Sequence, residues 1–332
     1  MLIPEFPDFV PISYELRTEM HPQLPMTPDG VSEYTFANLF LFRRRYRYRV
    51  SRIQDKTLII SGIQPPHTEA AADAAATGDT DAAAADGAAA TDANGAVVDS
   101  AAETPEKRFF CTPCAVPGRG VLEELFKTHD YWKGISDSLL TPGRDRMEGW
   151  GLEFTEDRDN FDYLYLRSDL ADLPGKKYHK KRNLVSQFHH SYSSWEAKAL
   201  TAELVPTAVK ILERWRETKG FDGDFLAASE ALEKYRGLYQ RGMVYWVEGR
   251  PAGWCLGERL ARGRMFAVHF EKALEEFKGI YQFINQHFAS ALPAYYTHIN
   301  REQDLGDEGL RQAKMTYRPC GFVRKFTAAM KL

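Results

Sequence analysis

Polar side chains that could do chemistry concentrate at the end of an apolar stretch, in residues 296–305. If this stretch is a strand, His298, Asn300 and Glu302 alternate along one face, and Arg301 lies between the last two. Polar groups in such a position are unfavourable unless they are paired or hydrated. We therefore predict that Asn300, Arg301 and Glu302 are catalytic residues.

A helix is predicted to follow, over residues 307–317. Gly306 lies at its start, and the N-terminus of a helix can bind an anion. Because Arg311 and Lys314 would lie on the same helix, Gly306, Arg311 and Lys314 are predicted to bind phosphate. The alternative is that two aspartates only cap this helix, Asp304 and Asp307.

His269 and Glu271 alternate at the end of a predicted strand over residues 266–270, directly before a predicted helix. They would point to the same side of the sheet. Open α/β sheets place ligand groups where a strand ends and leads into a helix. Either side chain could orient or deprotonate an amine, so both are predicted catalytic residues. The alternative is a structural ion pair with Lys272 or a distant arginine.

A dense basic run begins the predicted helix over residues 178–192, with six potential cations in seven positions. This density suits the phosphates of RNA, lipid or a nucleotide. The alternative is a solvated basic face. The predicted phosphate-binding residues are Lys176, Lys177, His179, Lys180, Lys181, Arg182 and Asn183.

Two further patterns are interpreted as structural. In residues 43–49 arginine alternates with tyrosine, as on nucleic-acid surfaces, but a helix end that runs into an edge strand is the preferred interpretation. Cys111 and Cys114 form a CxxC pair without a second pair or clustered histidines, so no metal site is predicted.

Several nucleotide and hydrolase signatures are absent from the sequence: GxxxxGK[ST], GxGxxG, GxSxG and HExxH. Their absence weighs against an ATPase, a dinucleotide oxidoreductase, an α/β-hydrolase and a zinc protease.

The composition indicates a soluble protein with two domains. The chain has 332 residues, of which 44% are hydrophobic, and it has no apolar run of the roughly 18 residues that a membrane helix needs. No basic start followed by an apolar run opens the chain, so a cytoplasmic location is expected.

The net charge is -3, but nine of the 46 acidic residues lie between Ile63 and Glu106, where there is no Lys or Arg. The rest therefore has 43 basic and 37 acidic residues, which favours a phosphate-bearing partner.

The order of predicted elements indicates an α/β (α+β) protein. An Ala/Asp-rich insert, residues 64–105, lacks the large apolar side chains needed for a core and is predicted to be disordered. In the second half, strands and helices alternate, which implies parallel neighbours joined by crossovers. The predicted helices there span residues 178–192, 195–218 with a kink at Pro206, 225–240, 272–290 and 307–317.

Outside the insert, the sequence resembles an uncharacterised bacterial family related to the C-terminal domain of phosphatidylglycerol lysyltransferase. The resemblance runs from Ser32 to Tyr317. The segments that show it best are FDYLY at residues 161–165, GKKYHKKRN at 175–183, HFEKA at 269–273, INRE at 299–302, DLG at 304–306 and GLR at 309–311.

This resemblance implies two tandem GNAT-like domains, each a mixed sheet flanked by helices, over residues 1–170 and 171–332. It also implies transfer of an amino acid from aminoacyl-tRNA to an amine or hydroxyl of lipid or peptidoglycan. Enzymes of this fold that use acetyl-CoA have a glycine-rich loop that binds pyrophosphate. Here no glycine occurs between His269 and Gly279, which disfavours acetyl-CoA. The membrane domain of the full lysyltransferases is missing, so a lipid acceptor would be reached from the cytosol.

The leading hypothesis is an aminoacyl- or acyltransferase whose basic run binds donor phosphates. Asn300, Arg301 and Glu302 would position the acceptor and polarise the carbonyl, and Glu271 or Glu302 would be the base. The expected partners are aminoacyl-tRNA and phospholipid head groups, with no metal. The alternatives are an acetyl-CoA-dependent N-acetyltransferase and a non-catalytic RNA or phospholipid binder.

Overall fold

Fourteen strands and eleven α-helices are present in the part of the chain that the structure describes. The computed structural model describes residues 1–53, 57–65, 106–220 and 222–331. The predicted insert therefore lies outside the described residues, apart from Gln64 and Pro65.

The strands provide most of the framework. They are β1 Val10–Pro11, β2 Arg49–Arg52, β3 Leu58–Ile63, β4 Arg108–Cys111, β5 Tyr131–Ser136, β6 Leu152–Glu156, β7 Asp162–Leu166, β8 Trp195–Ala199, β9 Arg241–Val247, β10 Arg250–Leu260, β11 Met265–Ala273, β12 His298–Asn300, β13 Gly321–Val323 and β14 Lys325–Met330. The helices are α1 Arg17–Met20, α2 Phe36–Leu41, α3 Arg119–Phe126, α4 Asp137–Leu140, α5 Arg144–Glu148, α6 Arg167–Asp172, α7 His179–Ser191, α8 Val205–Lys219, α9 Phe225–Lys234, α10 Ile280–Ala291 and α11 Glu308–Thr316.

Two mixed seven-stranded sheets result. The first has the order β1-β2-β3-β4-β5-β14-β6, and the second has the order β13-β7-β12-β11-β10-β9-β8. In the first sheet β4 and β5 are parallel, and in the second β11 and β12 are parallel. The other neighbours are antiparallel.

Each half of the chain contributes its last strand to the sheet of the other half. β7 follows the six strands of the first half, yet it pairs with β12 and β13, with Leu164 opposite both Asn300 and Gly321. β14 ends the second half, yet it lies between β5 and β6, with Ala328 opposite Phe154. The division into residues 1–170 and 171–332 stays a prediction, and neither sheet is built from one of these segments alone.

One continuous apolar core lies between the two halves. Leu58 and Ile60 of β3 belong to this core, whereas Ile59 faces a second core on the other side of the first sheet. Phe109 and Phe110 of β4 divide in the same way, because successive side chains of a strand point to opposite faces. The first sheet is therefore buried on both faces.

Two predicted helices begin later than expected. Residues 195–199 form β8, paired with β9, so the helical prediction was wrong there. α8 begins at Val205, and Pro206 lies in its first turn, where a missing N–H costs nothing, instead of producing a kink. Residues 272–273 continue β11, and α10 starts only after Gly279, whose φ is 81°. Pairing within the sheet overrides local helical propensity at both places.

Strand β5 was not predicted from the sequence. Gly134 in this strand has a φ of 70°, and the side chain of Tyr34 packs against it, with its hydroxyl donating to the Gly134 carbonyl at 2.8 Å. A Cβ at this position would lie 2.5 Å from the Tyr34 hydroxyl, so the contact requires glycine.

Candidate active site between the two sheets

A buried histidine with two carboxylate partners lies at the centre of the site. The register of β10 and β11 shifts from Leu256–Phe270 to Gly257–Val268, which leaves His269 at a bulge without an opposite residue on β10. Its Nδ1 lies 2.6 Å from Glu302 Oε1, and its Nε2 lies 3.1 Å from Glu258 Oε1. Both ring nitrogens are therefore occupied by carboxylates.

This pairing determines the charge of His269. Burial alone would lower the pKa of its ring, but the two carboxylates outweigh burial and raise the pKa to about 10. The ring is thus an imidazolium at neutral pH that donates to both glutamates. Both ring nitrogens then donate to carboxylates, and one of these bonds holds the side chain of Glu302.

The backbone of Glu302 is fixed in an unusual conformation after β12. Its φ is 57°, a region that non-glycine residues seldom adopt. Its N–H donates to Asn300 Oδ1 at 2.7 Å, and its carbonyl accepts from the Tyr163 N–H at 3.1 Å. These bonds direct the Glu302 side chain towards His269 and towards Asn38 Nδ2, which is 3.4 Å away.

Asn300 is fully buried and bonded within the protein. Its Nδ2 donates to the Gly30 carbonyl at 2.9 Å and to Asp162 Oδ2 at 3.0 Å. Asp162 is also completely buried and accepts from Lys325 Nζ at 2.7 Å and from the Ser32 N–H at 2.8 Å. Asn300 therefore connects Glu302 to the junction of the two halves, a position that suits a positioning residue.

Arg301 and Glu271 face each other in the interior. Arg301 Nη2 lies 3.6 Å from Glu271 Oε2, and both residues are buried. The Arg301 guanidinium also lies over the Tyr317 ring, 5.5 Å from its centroid. The arginine partner weighed for Glu271 in the sequence is therefore present, and it is Arg301.

The predicted anion site at α11 is occupied by the protein's own groups. Arg311 donates to Asp304 at 3.0 and 2.9 Å and to Asp159 at 2.6 Å. Burial would raise the pKa of Asp304, but the bonds from Arg311, Tyr163 and the Gly306 N–H hold it below its usual value. Arg311 and Gly306 thus hold a carboxylate of this chain.

The remaining groups of α11 are also engaged. Asp307 caps the helix by accepting from the Leu310 N–H at 2.6 Å, which is the capping alternative weighed in the sequence. Lys314 is buried and donates to the carbonyls of Arg301, at 2.7 Å, and Gln303. Lys314 therefore supports the backbone on both sides of Glu302.

The basic run forms one wall of an open groove of about 1220 Å³. Lys176, His179, Lys180 and Asn183 are exposed along it. We call it the basic groove, and its lining consists of Lys176, Lys177, His179, Lys180, Lys181, Asn183, Leu184, Ser186, Gln187, His190, Gln312, Met315, Thr316 and Arg318.

Three cations of the run have partners inside the protein. Lys177 donates to Asp169 at 2.8 Å. Arg182 does not line the groove, because it donates to the carbonyls of Gly175, at 2.7 Å, and Leu173. Lys181 is buried, and its Nζ lies 4.0 Å from the centroid of the same Tyr317 ring that Arg301 contacts. Tyr317 therefore links the groove to the residue next to Glu302.

A smaller cavity of about 90 Å³ lies between the sheets and has Glu302 and His269 in its wall. We call it the inter-sheet cavity. Neither Glu271, Asn300 nor Arg301 lines it. Its lining consists of Glu33, Tyr34, Asn38, Leu39, Phe42, Tyr46, Tyr48, Phe109, Cys111, Lys133, Gly134, Asn160, Asp224, His269, Glu302, Gln303 and Leu305.

The tyrosines of the arginine–tyrosine run contribute to this cavity through Tyr46 and Tyr48, whose rings stack at 5.1 Å. Arg43 of the same run pairs with Glu230 at 2.8 and 2.9 Å.

Burial raises the pKa of the Cys111 thiol to about 12, so it is protonated at neutral pH. In the described ranges, no group of three or more His, Cys, Asp or Glu is arranged to hold a metal ion.

A family model described as "Phosphatidylglycerol lysyltransferase, C-terminal" matches residues 125–329. The chain belongs to this family. No curated protein matches the sequence significantly.

Solved structures extend the similarity of this family member over nearly the whole chain. A conserved protein of unknown function from Bacteroides thetaiotaomicron is 26% identical, with 97% of this chain and 99% of that chain covered and a TM-score of 0.76. L-PGS from Bacillus licheniformis is 13% identical, with coverages of 100% and 94% and a TM-score of 0.57. The C-terminal domain of a putative lysylphosphatidylglycerol synthetase from Agrobacterium fabrum is 13% identical, with coverages of 96% and 92% and a TM-score of 0.57.

The predicted α/β class, with two mixed sheets flanked by helices, is confirmed. Every helix in the described ranges is too short or too polar to cross a bilayer. Several polar residues of the site were not predicted from the sequence, among them Glu258, Asp224 and Lys133. Alternation on β10 and β5 could have indicated Glu258 and Lys133, but only the pairing of the strands brings them to His269 and to the cavity.

Proposed function

We propose that this protein is an aminoacyltransferase that moves an aminoacyl group from aminoacyl-tRNA to an amine or hydroxyl acceptor. The observation that supports it most directly is the contact of both Lys181 and Arg301 with the ring of Tyr317. Through this ring the basic groove meets the segment that holds Glu302 in the wall of the inter-sheet cavity.

The sizes of the two spaces suit a large donor and a small acceptor. The basic groove, about 1220 Å³ with exposed cations, can accommodate the sugar–phosphate end of a nucleic acid. The inter-sheet cavity, about 90 Å³, admits only one small molecule the size of a few water molecules, such as a small acceptor. The polyanion would thus remain outside, and only its ester carbonyl would approach Glu302 in the cavity wall.

The chemistry requires little more than positioning and one proton acceptor. The acceptor nitrogen or oxygen attacks the ester carbonyl, a new C–N or C–O bond forms, and the ester bond to the ribose oxygen breaks. Glu302 takes the proton of the acceptor, which passes to the departing ribose oxygen. His269, as an imidazolium, keeps the Glu302 carboxylate in place. Glu271 is less suited as the base because it is buried and faces Arg301.

The family and the names of the solved relatives support this assignment, since the family is described as phosphatidylglycerol lysyltransferase, C-terminal, and one relative is named as a putative lysylphosphatidylglycerol synthetase. The turn between β11 and α10 argues against acetyl-CoA as the donor. Residues 274–278 contain no glycine, and a loop of bulky residues does not offer the row of backbone N–H groups that binds pyrophosphate.

Binding of the purified protein to aminoacyl-tRNA, uncharged tRNA and acetyl-CoA, at low and physiological salt, tests the proposal. We expect saturable binding of tRNA that weakens with salt, and no binding of acetyl-CoA. Binding of acetyl-CoA alone would identify an acetyltransferase and contradict the proposal. Binding of tRNA without any turnover of the charged form would indicate a non-catalytic RNA binder.

A further inference from the structure

Two oppositely charged side chains lie in different walls of the inter-sheet cavity, and each can form further hydrogen bonds. Lys133 comes from β5 of the first sheet, and Glu302 follows β12 of the second. Because these two walls belong to different halves of the chain, a ligand between them would contact both halves.

Lys133 is a cation without a carboxylate partner among the described residues. Its Nζ donates to Gln64 Oε1 at 2.9 Å and lies 5.0 and 5.6 Å from the ring centroids of Phe109 and Tyr46. An ammonium group has three N–H donors, so two of them remain for a ligand. An anion placed here would meet an unneutralised charge next to apolar rings, where electrostatic attraction is stronger than in water.

Glu302 offers the complementary group. Its Oε1 accepts from His269 and Asn38, whereas its Oε2 has no hydrogen-bond partner among the described residues. The other two carboxylates of the cavity are paired with buried lysines. Asp224 accepts from Lys272 at 2.7 and 2.9 Å, and Glu33 accepts from Lys325. Glu302 is thus the carboxylate best able to bind an additional ammonium group.

We propose that the inter-sheet cavity binds a compact zwitterion, a free α-amino acid, with its carboxylate at Lys133 and its amine at Glu302. This inference rests on the proposed function, because it makes the amino acid the acceptor. Glu302 takes one proton from its ammonium group and releases it to solvent, the free amine attacks the ester carbonyl, and the second proton leaves with the ribose oxygen. The aminoacyl ester of the donor has no free carboxylate, so the anionic group at Lys133 has to come from the acceptor. The volume of about 90 Å³ restricts the ligand to a small one.

Thermal-shift measurements with each of the twenty L-amino acids, followed by calorimetry, test this site without tRNA. We expect at least one amino acid to raise the melting temperature. Its amide, which lacks the carboxylate, and its N-acetyl form, which lacks the amine, should each bind at least tenfold more weakly to the wild-type protein.

Substitutions provide the second arm. Lys133→Met and Glu302→Gln should weaken binding at least tenfold, whereas the control Lys127→Met, an exposed residue at the end of α3, should not. The proposal is overturned if no amino acid binds, if the amide binds as well as the parent, or if sn-glycerol 3-phosphate stabilises the protein in their place. The last result would assign Lys133 to a lipid phosphate. If the protein binds an amino acid but does not bind tRNA, aminoacyl-tRNA is wrong as the donor, and the amino-acid site is supported.

Discussion

At the scale of single residues, the charge on His269 decides which group in the site can accept a proton. Its pKa, near 10, is above the ordinary value of 6.5, so the charged ring contributes stability fully below pH 6.5. That contribution is lost as the pH rises towards 10. We predict that the ¹⁵N shifts of His269, assigned with His269→Asn, remain those of an imidazolium at pH 8. A titration midpoint near 6.5 would show that Glu258 and Glu302 do not hold the proton.

Of the two partners of His269, one was predicted from the sequence and the other was not. His269 and Glu302 were predicted because polar residues in an apolar strand are unusual. Glu258 was not, because only the antiparallel pairing of β10 and β11, with its bulge, brings it to the His269 ring. The hydrogen bond between Glu302 and His269 depends on the positive φ of Glu302, which no local sequence pattern predicts.

Lys325 provides the residue-scale test of the junction between the halves. It is fully buried and pairs with Asp162 and Glu33. Removing it leaves the buried carboxylate of Asp162 without a cation, so Lys325→Met should lower the free energy of unfolding by about 3–5 kcal/mol. Urea denaturation measures this, with the exposed Lys331→Met as control. A loss below about 1 kcal/mol would mean that the pair is not needed for stability.

At the scale of elements, α7 and α11 divide the predicted phosphate ligands into two groups. On α11, Arg311 and Lys314 are bonded to Asp304 and to backbone carbonyls, whereas on and before α7 the side chains of Lys176 and Lys180 are exposed. The sequence shows the charge of both helices equally well. It cannot show which cations already have partners, because those partners lie far away in the chain.

The exposed cations at α7 should therefore account for tRNA binding. In Lys176→Gln/Lys180→Gln, affinity should fall, and the slope of log affinity against log salt should decrease by about 1–2, because each lost phosphate contact removes about 0.7–0.9. Lys127→Gln/Lys210→Gln, with the same change of charge directly after α3 and on α8, is the control. An equal loss in both double variants would point to net charge instead of a specific groove.

At the scale of the whole molecule, the exchange of β7 and β14 makes the two halves interdependent. The alternation of strands and helices predicted the fold class from sequence, but an exchange of final strands leaves no local signal. The alternation of residues in each strand is the same whether the strand pairs within its own half of the chain or with the sheet of the other half. The site depends on this exchange. Lys325 of β14 donates to Asp162 of β7, and Asp162 accepts from Asn300, which in turn accepts from the N–H of Glu302.

The exchange predicts the behaviour of a divided chain. A protease site placed between Pro174 and Gly175, both exposed, should yield two fragments that stay together in gel filtration and keep the circular dichroism of the intact protein. Residues 1–174 or 175–332 expressed alone should be unfolded, because each lacks a strand of its sheet. Two fragments that separate and remain folded would contradict the exchange of strands.

The most direct test of the proposed aminoacyl transfer is a single-turnover assay with radiolabelled aminoacyl-tRNA. Transfer of label is followed to phosphatidylglycerol vesicles and, separately, to a mixture of free amino acids, for the wild type, Glu302→Gln and the exposed control Glu203→Gln. We expect transfer to one of the acceptors that falls by about 10²–10⁴ in Glu302→Gln, as for loss of a general base, while tRNA binding is retained. Equal rates in the wild type and a folded Glu302→Gln would contradict the account.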